Sequence, residues 1–143
     1  LAFVRVYAKE GIDLKKDSTR DYITAAFRLY AALHCPTESE ISSMHIVDER
    51  TTIAVKLDLI AVYQTMKDLD SSGKNYICKA IEAIYFVEPK RPLKKGEIDS
   101  RALSFAMSNY VDKRTVWRWL KEARQLCALH RGLNIAPIEE IID

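Results

Sequence analysis

Glycine is scarce in this sequence: four residues in 143, at Gly11, Gly73, Gly96 and Gly132. That scarcity excludes the glycine-rich loops that cradle phosphates, because neither G-x-G-x-x-G nor G-x-x-x-x-G-K-[ST] occurs. Cysteine is almost as rare. Cys35, Cys78 and Cys127 are odd in number, far apart and without a C-x-x-C, so a disulfide framework is not expected and a reducing cytoplasm is the natural home. His34, His45 and His130 are scattered, and no spacing among these six residues suits a zinc site. No apolar run reaches the length of a membrane span and no signal-peptide pattern occurs, so a membrane is not an expected partner. The chain opens at Leu1 rather than Met, which leads us to expect residues before it.

Catalytic constellations are lacking too. Glu38, Glu40, Asp48 and Glu49 cluster in sequence, but paired carboxylates are common on exposed turns. His34 beside Cys35 has no third group to orient it. Tyr22, Phe27 and Tyr30 recur at helical spacing and read as core, not as a base-stacking platform. Neither an enzyme nor a bound cofactor is expected.

Positive charge is present, and it is concentrated. The net charge is only +2, yet residues 90–131 hold eleven Lys/Arg against four Asp/Glu. Residues 1–89 carry eleven against thirteen, and residues 132–143 three acids and no base. A basic segment inside a nearly neutral chain is the footprint of a nucleic-acid-binding module.

The periodicity predicts helices throughout. In residues 1–10, Phe3, Val6, Tyr7 and Glu10 fit a helix while Val4-Arg5-Val6 alternates like a strand; a helix that Gly11 breaks is expected, because nothing else would pair with a strand. Ser18 to Asp21 has a capping-box pattern and opens a helix to about residue 34, with Ile23, Ala26, Phe27, Tyr30 and Leu33 inward. Cys35-Pro36 ends it. Thr37 to Glu40 is another capping box, leading into a short helix over 41–44. Residues 45–51 read as a connection. A strong helix over 52–69 carries two apolar stripes, one of Val55, Leu59, Val62, Met66 and Leu69, the other of Ile53, Leu57 and Ile60. Such a helix is central in its domain or has a partner chain on one side; the first is expected. Residues 74–87 form the next helix, with Ile77, Ala80, Ile81 and Ile84 inward. Two prolines and a glycine then make 88–96 a basic loop. A helix over 97–110 follows, with Ile98, Ala102, Phe105 and Ala106 facing in. Residues 134–143 form a final helical turn or a docking arm.

The chain is organised around residues 111–132. At 100° per residue, Val116, Trp119, Leu120, Ala123, Leu126 and Cys127 share one face of a helix. Arg114, Trp117, Arg118, Lys121, Arg124, Gln125 and Arg131 share the other, with Ala128 the small uncharged residue among them. Asp112 reads as the N-cap, Gly132 as the C′ residue, and Arg131 as a complement to the C-terminal dipole. Such a helix suits the major groove of DNA; it also suits an ordinary core helix with a solvated basic face. A basic face fits an anionic membrane surface as well, but here the apolar side looks core-directed. Trp117, in the middle of the basic face, either meets a partner or packs against helix 97–110 or loop 88–96.

Residues 105–120, F-A-M-S-N-Y-V-D-K-R-T-V-W-R-W-L, resemble the helix-turn-helix pattern I-A-x-x-L-G-V-S-x-x-T-V-x-R-x-L. Phe105 and Ala106 match its first helix, Val111 the apolar plug of the turn, Asp112 the cap, and Thr115-Val116 the start of the recognition helix. Asn109 stands in place of the leucine and Tyr110 in place of the turn glycine. Together with helix 74–87, this unit resembles the DNA-binding fourth region of bacterial sigma factors. The whole resembles phage late-gene regulators: antitermination Q proteins of lambdoid phages, or RinA/ArpU-type activators. The resemblance implies binding to double-stranded DNA in the cytoplasm of a bacterial host cell, in concert with RNA polymerase, by antitermination or by promoter activation.

The expected fold is therefore an all-α helical bundle with a C-terminal, sigma-factor-like helix-turn-helix. Residues 1–70 form an N-terminal part, 71–133 the DNA-binding part and 134–143 a tail, in one compact unit. Arg118 and Trp117 are expected at base edges. Thr115 opens the same helix, and Lys113, Arg114, Lys121 and Arg124 are expected on phosphates, with Arg91, Lys94 and Lys95 on the flanking backbone. The helix N-terminus would offer N–H groups to a phosphate. A homo-oligomer on DNA is compatible with this set. The competing expectation is a non-enzymatic adaptor whose basic face docks an acidic protein and whose second stripe on 52–69 builds an oligomer.

Overall fold

A computed structural model describes residues 16–45 and 48–133. The helix expected over 1–10, the break at Gly11 and the tail 134–143 lie outside them. Within them the chain is all-α, with six helices: α1 Lys16–Ala32, α2 Glu38–Ser42, α3 Glu49–Ser71, α4 Asn75–Ile84, α5 Glu97–Ser108 and α6 Lys113–Arg131.

Local chemistry sets most of the helix ends. Thr37 caps α2 with a full capping box: its hydroxyl accepts from the Glu40 N–H, and the Glu40 carboxylate accepts from the Thr37 N–H at 2.8 Å. The matching pattern at Ser18 does not act this way, because α1 is already running at Lys16. Asp21 lies one methylene short of the glutamate that closes the box, and it pairs with Arg20 instead. Asp48 caps α3, accepting from the Thr51 N–H at 2.9 Å, so that helix starts three residues before the expected 52.

Four turns close as Schellman motifs, in which the N–H two residues past the helix returns to a carbonyl five back. Gly73 and Gly132 take the left-handed position at two of them, His34 and Tyr110 at the others. After α5, the Val111 N–H reaches the Ala106 carbonyl at 3.0 Å across Tyr110, whose φ is 56°. Tyr110 thus holds the left-handed conformation that glycine most often supplies at this point of a helix end.

The bundle is built around α3 and α6, the helices with the most extensive mutual packing. Val55, Leu59, Val62 and Leu69 of α3 meet Val116, Leu120, Ala123 and Cys127 of α6 in a core that also takes Ile23, Ala26, Phe27 and Tyr30 of α1 and Ile77, Ile81 and Ile84 of α4. Each fully buried leucine of this set contributes roughly 1.5–3 kcal/mol of transfer free energy. The core runs without a break across residue 70, because α3 packs on α4 and α6 alike. Leu33 stands apart from the expected inward face: it follows the last residue of α1 and is exposed.

The second stripe of α3 departs from expectation. Ile53 and Leu57 are 53% and 48% exposed, and Ile60 is only partly buried. Neighbouring helices cover the Val55–Leu69 face and leave this one to solvent, so α3 is central on one side only. Among the described residues no helix is long and apolar enough to cross a membrane.

Candidate nucleic-acid interface

The face of α6 that sequence periodicity marks as basic is divided by packing into two halves. In the C-terminal half the cations turn inward. The Arg131 Nε donates to the Asp58 Oδ1 at 2.6 Å, and the Tyr22 hydroxyl donates to the same oxygen at 2.8 Å. Asp58 is fully buried on α3, and its Oδ2 has no partner. Burial pushes its carboxyl above the ordinary carboxylate range, and the bonds from Arg131 and Tyr22 hold it back. Arg131, a cation in the last turn of α6 as expected, therefore also ties α6 to α3 and α1 and is not a free surface charge. Arg124 donates to the Tyr85 hydroxyl at 3.0 Å and is part-buried. Ala128, expected on the outer face, is buried. An acid on the buried stripe of α3, between Val55 and Val62, was the sequence signal for an inward-facing cation; nothing in the spacing named which one.

The N-terminal half stays open. Arg114, Arg118 and Lys121 are exposed, and the i, i+4, i+7 spacing puts them on one face over about 10 Å of helix. None of the three has an acidic partner among the described residues. The Arg118 guanidinium instead donates to the Thr115 hydroxyl at 3.0 Å, which holds it against the first turns of α6. Lys113 is paired with Asp99 at 3.1 Å. That pair ties the first residue of α6 to the first turn of α5, beside the turn in which Lys94 and Lys95 are exposed and have no acidic side-chain partner among the described residues.

Two expected contacts are placed otherwise. The loop 88–96 is not a loose basic arm. Arg28, buried on α1, donates to the carbonyls of Tyr85, Val87, Glu88 and Arg91 at 2.6–3.2 Å, and Arg101 donates to the Ile84 carbonyl at 2.7 Å. Arg91 is clamped between Glu88 and Glu97, and Glu97 also accepts from Arg101 and from the Lys94 N–H. Those bonds, Arg91 foremost, hold the Glu97 carboxyl down at about 2. Arg91 is thus a structural partner of the loop. Nothing in the one-dimensional pattern singled out Arg28, which makes four of its bonds to backbone some 60 residues away.

Trp117 is partly buried and packed against the core, so it is a rim residue of the face and not an isolated exposed ring. The N-terminus of α6 is also not vacant, since the Asp112 side chain accepts from the Arg114 N–H at 2.9 Å. A carboxylate there competes with any phosphate for that end of the dipole.

No protein-family model, curated protein or solved structure matches this chain. The chemistry of the face is therefore read from its own residues. Among the described residues no group of three His, Cys, Asp or Glu could hold a metal ion. Of the cysteines, Cys35 is exposed, whereas Cys127 is buried and its thiol is pushed up to about 12 by that burial. What the face offers is a row of guanidinium and ammonium donors on a rigid helix: phosphate contacts, and bidentate bonds to a base edge from Arg118.

Proposed function

We propose that this protein is a sequence-specific double-stranded DNA-binding transcription regulator acting with RNA polymerase, with α5 and α6 as its helix-turn-helix. The observation that carries the reading is the exposed, unpaired row Arg114, Arg118 and Lys121 on the N-terminal half of α6. Further support comes from the four-residue connection between two packed helices, with a left-handed residue where the helix-turn-helix pattern has glycine. Arg118 reads a base edge; Arg114, Lys121, Lys94 and Lys95 contact phosphates, and Thr115 orients Arg118. Lys113, Arg124 and Arg91 support the face through intramolecular partners, and Trp117 packs beneath it. The resemblance of residues 105–120 extends the proposal to phage late-gene control, by antitermination or else by promoter activation of the RinA/ArpU type, in the host cytoplasm.

Selection of duplexes from a random pool, followed by anisotropy titration, tests the reading. Arg118→Ala is expected to cost about 1–3 kcal/mol and relax one position of the site, while Lys121→Ala weakens all duplexes alike. Equal, sequence-independent losses would remove the division of roles. A second reading, a protein-binding adaptor, is favoured by the exposed Ile53 and Leu57 and takes over if duplex affinity is negligible even at low salt.

A further inference from the structure

The outer side of α5 and the turn that follows it carry exposed apolar residues. Leu103 and Met107, one turn apart on α5, are 45% and 69% exposed and form a ridge, and Tyr110, 95% exposed, follows in the turn after the helix. Beside the ridge runs a shallow groove of about 300 Å³, lined by Ser100, Ser104 and Ser108 of α5, Ala83 of α4, Phe105 and Arg101. Scattered exposed apolar residues need no explanation, but a contiguous ridge does. Here it lies next to a depression of matching pitch on the same helix.

We propose that this face docks a second copy of the chain, the Leu103–Met107 ridge of each protomer entering the groove of the other. Three observations favour a second copy over a foreign partner. Ridge and groove lie side by side on one helix, so a twofold axis across α5 serves both at once, as an isologous contact requires. Both follow i±4 rows, the pattern of the commonest helix–helix crossing, and serines in the groove let the backbones approach. The face also brings no like charge to its copy: Arg101 is already paired with Glu97, and Asp99 with Lys113. The open half of α6, with Arg114, Arg118 and Lys121 on it, would by contrast repel itself. One helix crossing covers a few hundred Å² per copy against roughly 800 Å² for a stable interface, so the dimer is weak and reversible. This inference does not rest on DNA binding.

Sedimentation velocity of the full chain over a concentration series from low to high micromolar reads it directly. The mass is expected to rise from 16.4 kDa toward twice that value. Met107→Asp, at an exposed position that leaves the helix intact, is expected to remain monomeric throughout, with an unchanged thermal melt as the control for folding. In a Cys35→Ser background, Ser104→Cys is expected to form an interchain disulfide on mild oxidation. A chain that stays monomeric over the whole range overturns the proposal. So does a dimer that survives Met107→Asp, or one that Leu57→Asp abolishes instead.

Discussion

The salt dependence of duplex binding separates the charges that sequence offers from those that the fold leaves available. Eight cations are expected on DNA from sequence: Arg91, Lys94, Lys95, Lys113, Arg114, Arg118, Lys121 and Arg124. Each phosphate neutralised adds about −0.9 to the slope of log affinity against log salt, so eight contacts give a slope of about −7. The structure leaves five. Arg91 is held by Glu88 and Glu97, Lys113 by Asp99, and Arg124 by the Tyr85 hydroxyl. Five contacts give a slope of about −4.5, or about −3.6 if Arg118 is engaged by a base alone. From 50 to 200 mM salt, affinity should then fall by roughly 500-fold at the steeper of these slopes, and not by the roughly 20,000-fold that eight contacts require. Anisotropy titrations at four or five salt concentrations measure the slope. Lys121→Gln and Lys95→Gln should each make it shallower by about 0.9, whereas Arg91→Gln should leave it unchanged. A wild-type slope near −7, or a shallower one in Arg91→Gln, would refute the claim that these ion pairs withhold their cations from the backbone.

Three further outcomes follow from the packing. Tyr110 is 95% exposed, so Tyr110→Gly loses almost no burial and relieves a left-handed side chain; after the greater unfolded-state entropy of glycine, about 0.5–1 kcal/mol of stabilisation is expected in urea melts. An unchanged or lower midpoint at constant slope would show that the turn stores no such strain. Arg131→Met leaves the buried Asp58 carboxylate without a cation and with only the Tyr22 hydroxyl on it, and should cost about 3–5 kcal/mol, most of it recovered by adding Asp58→Leu; a double variant as unstable as the single would count against an ion-pair origin. Glu97 has its folded value depressed to about 2 from an ordinary 4.5, so its contribution is complete above the ordinary value and is lost as pH falls toward 2. Thermal melts of wild type and Glu97→Gln should therefore differ by a constant amount above pH 5 and converge in acid; a gap that widened on acidification would invert the sign.

Among the described residues, sequence by itself placed the six helices to within a few residues at their ends and the main apolar stripe of each, because 3.6-residue periodicity, Thr37–Glu40, Asp112 and Gly132 are local signals with local consequences. It also located the positive charge, since residues 90–131 are basic however they fold. Which of those charges stay available was decided by tertiary structure alone. A cation on the outer arc of a helical wheel has no fixed neighbour until another helix arrives. Asp58 of α3 then takes Arg131, Tyr85 takes Arg124, and Glu97 takes Arg91. The same holds for the two stripes of α3: the wheel gives both, but among the described residues the neighbouring helices cover only one, and Ile53 and Leu57 are exposed. Long-range pairing is set by which surfaces meet, and a one-dimensional period carries no record of that.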